Sequence, residues 1–163
     1  MKFAVITVSD RAANGTYADK SGPAIVAVLK SHFPEAQIEV EVVPDGVESV
    51  LGALARHTAA DWILTTGGTG PSPRDQTPEA TMRWCDRTIP GLAEYLRTQS
   101  LAQTPFAVFS RGVAGMHGAQ FVVNFPGSLD AAIMHAQLLV PLVEHGTAMA
   151  RGTGHTDHPG SNN

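Results

Sequence analysis

The sequence predicts an α/β fold with a parallel sheet. Two features carry this expectation. Strand-like apolar runs alternate with helically spaced stretches over the first 66 residues, and a glycine-rich turn leaves one of those runs and leads directly into a helix start. Residues 2–9 form a continuous apolar run, as in a strand buried on both faces. Ser21-Gly22-Pro23 opens a helix with Ser21 as its cap and Ile25, Val28 and Leu29 on one face. Ile38, Val40 and Val42 alternate with Glu39 and Glu41, the pattern of a strand with one solvated face. Pro44-Asp45-Gly46 turns the chain, and Val47, Val50, Leu51, Leu54 and Ala55 follow at helical spacing. Residues 61–66 return to strand, and right-handed crossovers make these three strands parallel.

The second half is less regular. Thr77-Pro78 caps a short helix, and Pro90-Gly91 begins another that carries Leu92, Tyr95 and Leu96. Residues 106–109 and 120–124 read as strands, separated by Gly112, Gly115 and Gly118, a spacing that permits an antiparallel excursion at the sheet edge. Ser128 caps a final helix bearing Leu138, Leu139, Leu142 and Val143, which Pro141 is expected to bend or break. From Gly152 onward the composition is that of a loose tail, giving one domain over residues 1–151 and a flexible extension over 152–163.

Composition narrows the function. A chain of 163 residues with 43% apolar and 16% charged residues is long and apolar enough for a real core. A net charge of −4 leaves no basic footprint for a general nucleic-acid binder. No stretch approaches the roughly 18 apolar residues that a membrane span requires. The single Cys85 rules out an internal disulfide or a multi-cysteine metal site, and the cytoplasm is the default compartment.

Parallel strands end at one edge of their sheet, where ligands bind. That edge would receive Ser9 and Asp10 after the first strand and Asp45 after the second. It would also receive the turn from Gly67 to Asp75 after the third and, if its strand is parallel too, the run from Asn124 to Ser128. Glycines let backbone N–H groups approach an anion, and the helix at Thr77 turns its positive end the same way. Arg74 supplies a phosphate-pairing cation, and Asp45 and Asp75 are carboxylates able to hold Mg²⁺ while a substrate phosphate completes its shell. As a competing account, Asp45 is simply the middle of a turn and Asp75 a helix-start residue. The turn has neither the Lys-Ser/Thr of a P-loop nor the spacing of a dinucleotide fingerprint. His32, His57, His135 and His145 read as surface or boundary residues, His155, Asp157 and His158 as a polar tail, and Cys85, Trp62 and Trp84 as core.

Several motifs together resemble the molybdopterin adenylyltransferases of the MogA/MoaB type. They are Val8-Ser9-Asp10-Arg11 with Gly15, Asp19-Lys20-Ser21-Gly22-Pro23, Val43-Pro44-Asp45, Thr65-Thr66-Gly67-Gly68-Thr69-Gly70, Pro73-Arg74-Asp75 and Asn124-Phe125-Pro126-Gly127-Ser128. The resemblance, which extends to gephyrin-like proteins, covers roughly residues 3–150. It implies a three-layer α/β/α sandwich, mostly parallel with an antiparallel edge, commonly assembled as a homotrimer. It also implies a Mg²⁺-dependent reaction of ATP with molybdopterin, giving adenylyl-molybdopterin and pyrophosphate, with a molybdenum insertase downstream. Asp45 and Asp75 match the family's functional aspartates. Ser9, Asp10, Gly67, Gly68, Thr69, Gly70, Arg74, Ser100, Ser110, Arg111, Asn124, Gly127 and Ser128 are the implied substrate-binding residues. The chain departs from the family pattern at Phe125, where a Leu is usual, at Leu129, where a Pro is usual, and at His117, where an Arg often stands. A non-catalytic molybdopterin-binding module and a nucleotide pyrophosphatase of the competence-damage type are the alternatives compatible with the same residues.

Overall fold

The structure is a computed structural model describing residues 1–153. The tail residues His155, Asp157 and His158, and all of the expected 152–163 extension beyond Thr153, lie outside the described residues. In chain order the elements are β1 (Lys2–Val8), α1 (Asp10–Ala13), α2 (Ser21–His32), β2 (Gln37–Val43), α3 (Val47–Arg56), β3 (Trp62–Thr66), α4 (Thr77–Trp84), β4 (Arg87–Thr88) and α5 (Pro90–Leu101). A 3₁₀ turn (Pro105–Phe109), β5 (Ala114–His117), β6 (Gln120–Phe125) and α6 (Leu129–Ala150) complete the chain. The sheet order is β2-β1-β3-β6-β5-β4. Strands β2, β1, β3 and β6 are parallel, and β5 and β4 form the antiparallel edge.

Register decides which side chains meet. Val5 lies opposite Val40 and Leu64, and Leu64 opposite Val123, so one residue set faces one side of the sheet throughout. Phe3, Val5, Leu64 and Val123 pack with Ile25 and Leu29 of α2 and Ala136, Leu139 and Val143 of α6. On the opposite face Ala4, Ile6, Ile63 and Val122 pack with Val50 and Leu54 of α3 and Ala80 of α4. Helices on both faces make the three-layer sandwich. Trp62 is core, stacked on Phe121 with ring centroids 3.9 Å apart, and its indole N–H donates to Thr147 Oγ1 at 2.9 Å.

Several local expectations are corrected. Residues 106–109 are a 3₁₀ turn, because Pro105 fixes the start and Thr104 Oγ1 accepts from the Phe106 amide at 3.4 Å. Their apolar side chains face outward, with Phe106 76% and Val108 61% exposed. The antiparallel excursion is made instead by β4 and β5, whose close approach requires Gly115: a Cβ there would lie 2.8 Å from the Arg87 carbonyl oxygen. Ser21 is already helical, and Asp19 Oδ1 does the capping by accepting from the Gly22 amide at 3.1 Å and from Ser21 Oγ at 3.2 Å. Ser128 holds the cap position without a side-chain capping bond, and Thr77 caps nothing with its hydroxyl. Helix α6 runs unbroken through Pro141, held on both sides of it by buried Leu139, Val140 and Val143. The edge strand β2 exposes the valines expected to be covered, Val40 at 65%, while Glu39 and Glu41 reach the buried His57 at 2.8 Å each. No helix among the described residues is long and apolar enough to cross a membrane.

The Trp62–Thr147 bond joins the start of β3 to the end of α6 across 85 residues of sequence. Thr147→Val keeps the shape and leaves the buried indole N–H without its acceptor. Urea unfolding is expected to show a loss of about 1–3 kcal/mol, seen as a lower midpoint at unchanged slope.

Candidate active site

A cavity of about 650 Å³ opens at the carboxyl edge of the parallel strands. Four connections meet there: Ser9 and Asp10 after β1, Asp45 after β2, Gly67 and Gly68 with Arg74 and Asp75 after β3, and Gly127 and Ser128 after β6. Backbone geometry brings them together. Gly67 has φ +102°, and a Cβ on it would lie 2.3 Å from the Val8 carbonyl oxygen; Gly68 has φ +63°. Thr77 locks this turn by donating its hydroxyl to the Gly67 carbonyl at 2.9 Å and its amide to the Gly68 carbonyl at 3.1 Å. Gly127 packs against the same turn, its missing Cβ position 3.2 Å from Gly67 Cα.

The acidic residues are braced individually. Asp10 and Asp45 grip each other's backbone: the Asp10 amide donates to Asp45 Oδ2 at 3.0 Å, and the Asp45 amide donates to Asp10 Oδ1 at 3.1 Å. Asp75 Oδ2 accepts from the Ser72 amide at 3.1 Å. Each of the two candidate catalytic aspartates therefore commits one oxygen to a backbone amide, and Asp45 Oδ1 lies toward the Gly68 turn. Burial first, and then the negative charge of Asp75, push the Asp45 carboxyl above its ordinary range. Arg74 is ion-paired with Asp10 across the cleft mouth.

The remaining implied residues stand back from the cleft. Arg111 knits the glycine turn from behind. Its amide donates to the Thr69 carbonyl at 2.9 Å, its Nε donates to the Gly70 carbonyl at 2.8 Å, and its guanidinium pairs with Glu79 and the Asp75 carbonyl. Thr69 and Gly70 belong to that braced segment. Asn124 is buried and fully used: Nδ2 donates to Thr65 Oγ1 at 3.0 Å and Thr81 Oγ1 at 2.9 Å, and Oδ1 accepts from the Val113 amide at 3.2 Å. Ser110 Oγ accepts from the Gly112 amide at 3.4 Å. Ser100 is buried between α5 and α6, its hydroxyl donating to the Leu96 carbonyl at 3.0 Å and lying 2.8 Å from His135 Nε2.

Thr7, Arg11, Tyr17, Asp19 and Lys20 are among the cleft-lining residues that sequence reasoning did not single out as site residues. Asp19 Oδ2 accepts from Thr7 Oγ1 at 2.7 Å, which ties the start of α2 to β1. An Asp two residues before a helix is the signal that could have found it; for Tyr17 it is an aromatic set in a polar loop. His135 is a second correction. It is 3% exposed, with Nδ1 unpartnered and the ring edge-on to Phe125.

Fold and site together define a class: three-layer α/β domains with an acidic, glycine-bounded cleft at the carboxyl edge of a parallel sheet. Residues 4–145 match the family described as probable molybdopterin binding domain, and the chain belongs to that family. The molybdopterin adenylyltransferase of Helicobacter pylori is 39% identical over 127 residues, 76% of this chain and 72% of that protein. Gephyrin of Dictyostelium discoideum is 35% identical over 152 residues, 86% of this chain but only 21% of that much longer protein. Among solved structures, the molybdopterin biosynthesis Mog protein of Mycobacterium ulcerans superposes with a TM-score of 0.85 at 39% identity, over 91% of this chain and 98% of that one.

Burial, reinforced by the charge of Arg97, lowers the His135 pKa to about 4. The folded state therefore keeps His135 neutral where the unfolded chain already binds a proton. Stability is expected to be full above about pH 6.5 and to fall as pH drops toward 4, by up to about 3 kcal/mol from this group. Urea titrations across that range check the slope, and His135→Leu should flatten this part of it.

Proposed function

We propose that the protein transfers the adenylyl group of ATP to molybdopterin, releasing pyrophosphate. The observation that carries this reading is the pair Asp45 and Asp75, each held by a backbone amide with one oxygen left over, on two strand ends that meet at the glycine turn. Membership of the family and the similarity to the molybdopterin adenylyltransferase of Helicobacter pylori support the same reading.

In this reaction an oxygen of the molybdopterin phosphate attacks the α-phosphorus of ATP, and the bond to the β-phosphate oxygen breaks. A phosphate monoester already carries about −1.5 to −2 charge at neutral pH, so the nucleophile needs no strong base. The cleft lining fits: among the described residues it contains no histidine and no cysteine. The difficulty is to bring anions together, since two unit charges about 4 Å apart repel by about 4 kcal/mol at an effective dielectric of 20. Arg11, Lys20 and Arg74 line the cleft as cations, and the N-termini of α2 and α6 and the Gly68 amide add partial positive charge.

The donor set suits a hard divalent ion. Among the described residues no cluster of three or more His, Cys, Asp or Glu could hold a metal alone, whereas Mg²⁺ binds through one or two carboxylates plus substrate phosphates and water. Asp45 and Asp75 are the residues that would hold it, and their mutual repulsion is what a cation would relieve. When bound, Mg²⁺ supplies charge neutralisation at the phosphates. A cytoplasmic homotrimer that passes its product to a molybdenum insertase completes the proposal. Its assembly is supported by the outward-facing Phe106, Val108 and Phe109.

Asp45→Asn and Asp75→Asn test the reading. Each is expected to cut ATP- and molybdopterin-dependent pyrophosphate release by at least about a hundred-fold, on the scale of one lost electrostatic stabiliser, with the melting temperature essentially kept. Unchanged turnover in both variants sinks the mechanism. AMP release from ADP-ribose without molybdopterin would move the protein to a pyrophosphatase.

A further inference from the structure

The cleft described above is lined by the charged side chains of Asp10, Asp45, Asp75 and Arg74 and, among the described residues, by one aromatic ring, Tyr17. Tyr17 lies on the connection between α1 and α2 and is 48% exposed. Exposed aromatics on loose loops are unremarkable, but this loop is not loose. Gly15, at φ +78°, lets the chain reverse, and its amide donates to the Ala12 carbonyl at 3.2 Å. Thr16 donates its amide to Asn14 Oδ1 at 3.0 Å and its hydroxyl to the Arg11 carbonyl at 3.1 Å. The Tyr17 amide donates to that same Arg11 carbonyl at 3.0 Å. The Arg11 guanidinium carbon sits 5.2 Å from the Tyr17 ring centroid, a cation–π contact that fixes the ring as well as the backbone.

We propose that Tyr17 is a stacking platform for the fused nitrogen heterocycle of a substrate, and that it determines specificity for ring-bearing over plain phosphate ligands. The proposal rests on the adenylyltransferase reading, in which both substrates pair a phosphate with a fused nitrogen heterocycle, adenine in ATP and the pyranopterin in molybdopterin. The charged side chains of the cleft recognise phosphate and offer nothing to such a ring. A ring held in place before the ligand arrives loses little freedom on stacking, so its contact contributes fully to binding. Arg11 adds to the pairing by placing positive charge on the tyrosine π-system and beside the phosphates, since it lines the same cleft. The tyrosine hydroxyl has no part in this role.

Binding calorimetry with three probes tests it: Mg·ATP, Mg·tripolyphosphate, which keeps the phosphates and lacks the ring, and molybdopterin. Tyr17→Leu is expected to weaken ATP or molybdopterin by roughly five-fold or more, the range of a base–aromatic stack, and to leave tripolyphosphate unchanged. Tyr17→Phe should bind like the wild type. Weakened ATP alone assigns the platform to adenine, and weakened molybdopterin alone assigns it to the pterin. The inference is overturned if Tyr17→Leu leaves both ring-bearing ligands unaffected, if tripolyphosphate weakens equally, or if Tyr17→Phe behaves as Leu does. Failure of the underlying function shows differently, as a wild-type protein that binds neither ATP nor molybdopterin; the inference falls with it.

Discussion

The site depends on one steric constraint, the contact between the chain after β3 and the carbonyl that ends β1. Gly67 meets the Val8 carbonyl so closely that a methyl group in its place would lie 2.3 Å from the oxygen. Gly127 then packs on Gly67 from the far side, so three strand ends touch backbone to backbone. Side chains at either position would push those strand ends apart and open the cleft floor. Of the acidic residues, Asp75 is the one on the segment that hangs from this contact. Thr77 fixes the turn, Arg111 holds the carbonyls of Thr69, Gly70 and Asp75 from behind, and Asp75 lines the same cavity as Asp45.

This bracing explains how a site can concentrate negative charge and still fold. Asp10, Asp19, Asp45 and Asp75 all line one cavity. Each accepts at least one hydrogen bond from a backbone amide: Asp45 for Asp10, Gly22 for Asp19, Asp10 for Asp45 and Ser72 for Asp75. A carboxylate satisfied by an amide keeps its ionised form at less cost than a bare buried one. At Asp45, burial first and then the charge of Asp75 raise the pKa. That residual repulsion marks where positive charge from outside is most favourable.

Much of this was legible in the sequence because it follows from local rules. The run over residues 2–9, the helix from Val47 and the strand before Gly67 are set by apolar periodicity, and parallel pairing follows from crossover handedness. That put Asp10, Asp45, Asp75 and Gly127 at one rim, as the cavity has them. What failed was what depends on distant partners. The run from Phe106 to Phe109 has strand composition, but Pro105 and the absence of a covering layer make it a turn. His135 was read as a boundary residue because its burial comes from α5 and Phe125, which no helical spacing within α6 reveals. Asn124 and Arg111, which resemblance implied as ligand contacts, have their hydrogen-bonding groups taken by Thr65, Thr81, Val113, Glu79 and the glycine turn. In both, a polar residue near a site carries its geometry.

The division of labour among the histidines bears on chemistry. His135 is sealed against Ser100 and Phe125 on the α6 side of the sheet, and His57 is clamped between Glu39 and Glu41 at the edge strand. Neither lines the cleft. A reaction that needed proton transfer at neutral pH would call for such a group within hydrogen-bond reach of the substrate. A reaction whose nucleophile is already an anion calls instead for fixed positive charge and fixed position, and those are what the cleft provides. The Ser100–His135 pair resembles a nucleophile and its base, yet the serine hydroxyl donates to the Leu96 carbonyl and neither residue lines the cavity. Its role is to fasten α5 to α6, and with them the layer on which β1, β3 and β6 rest.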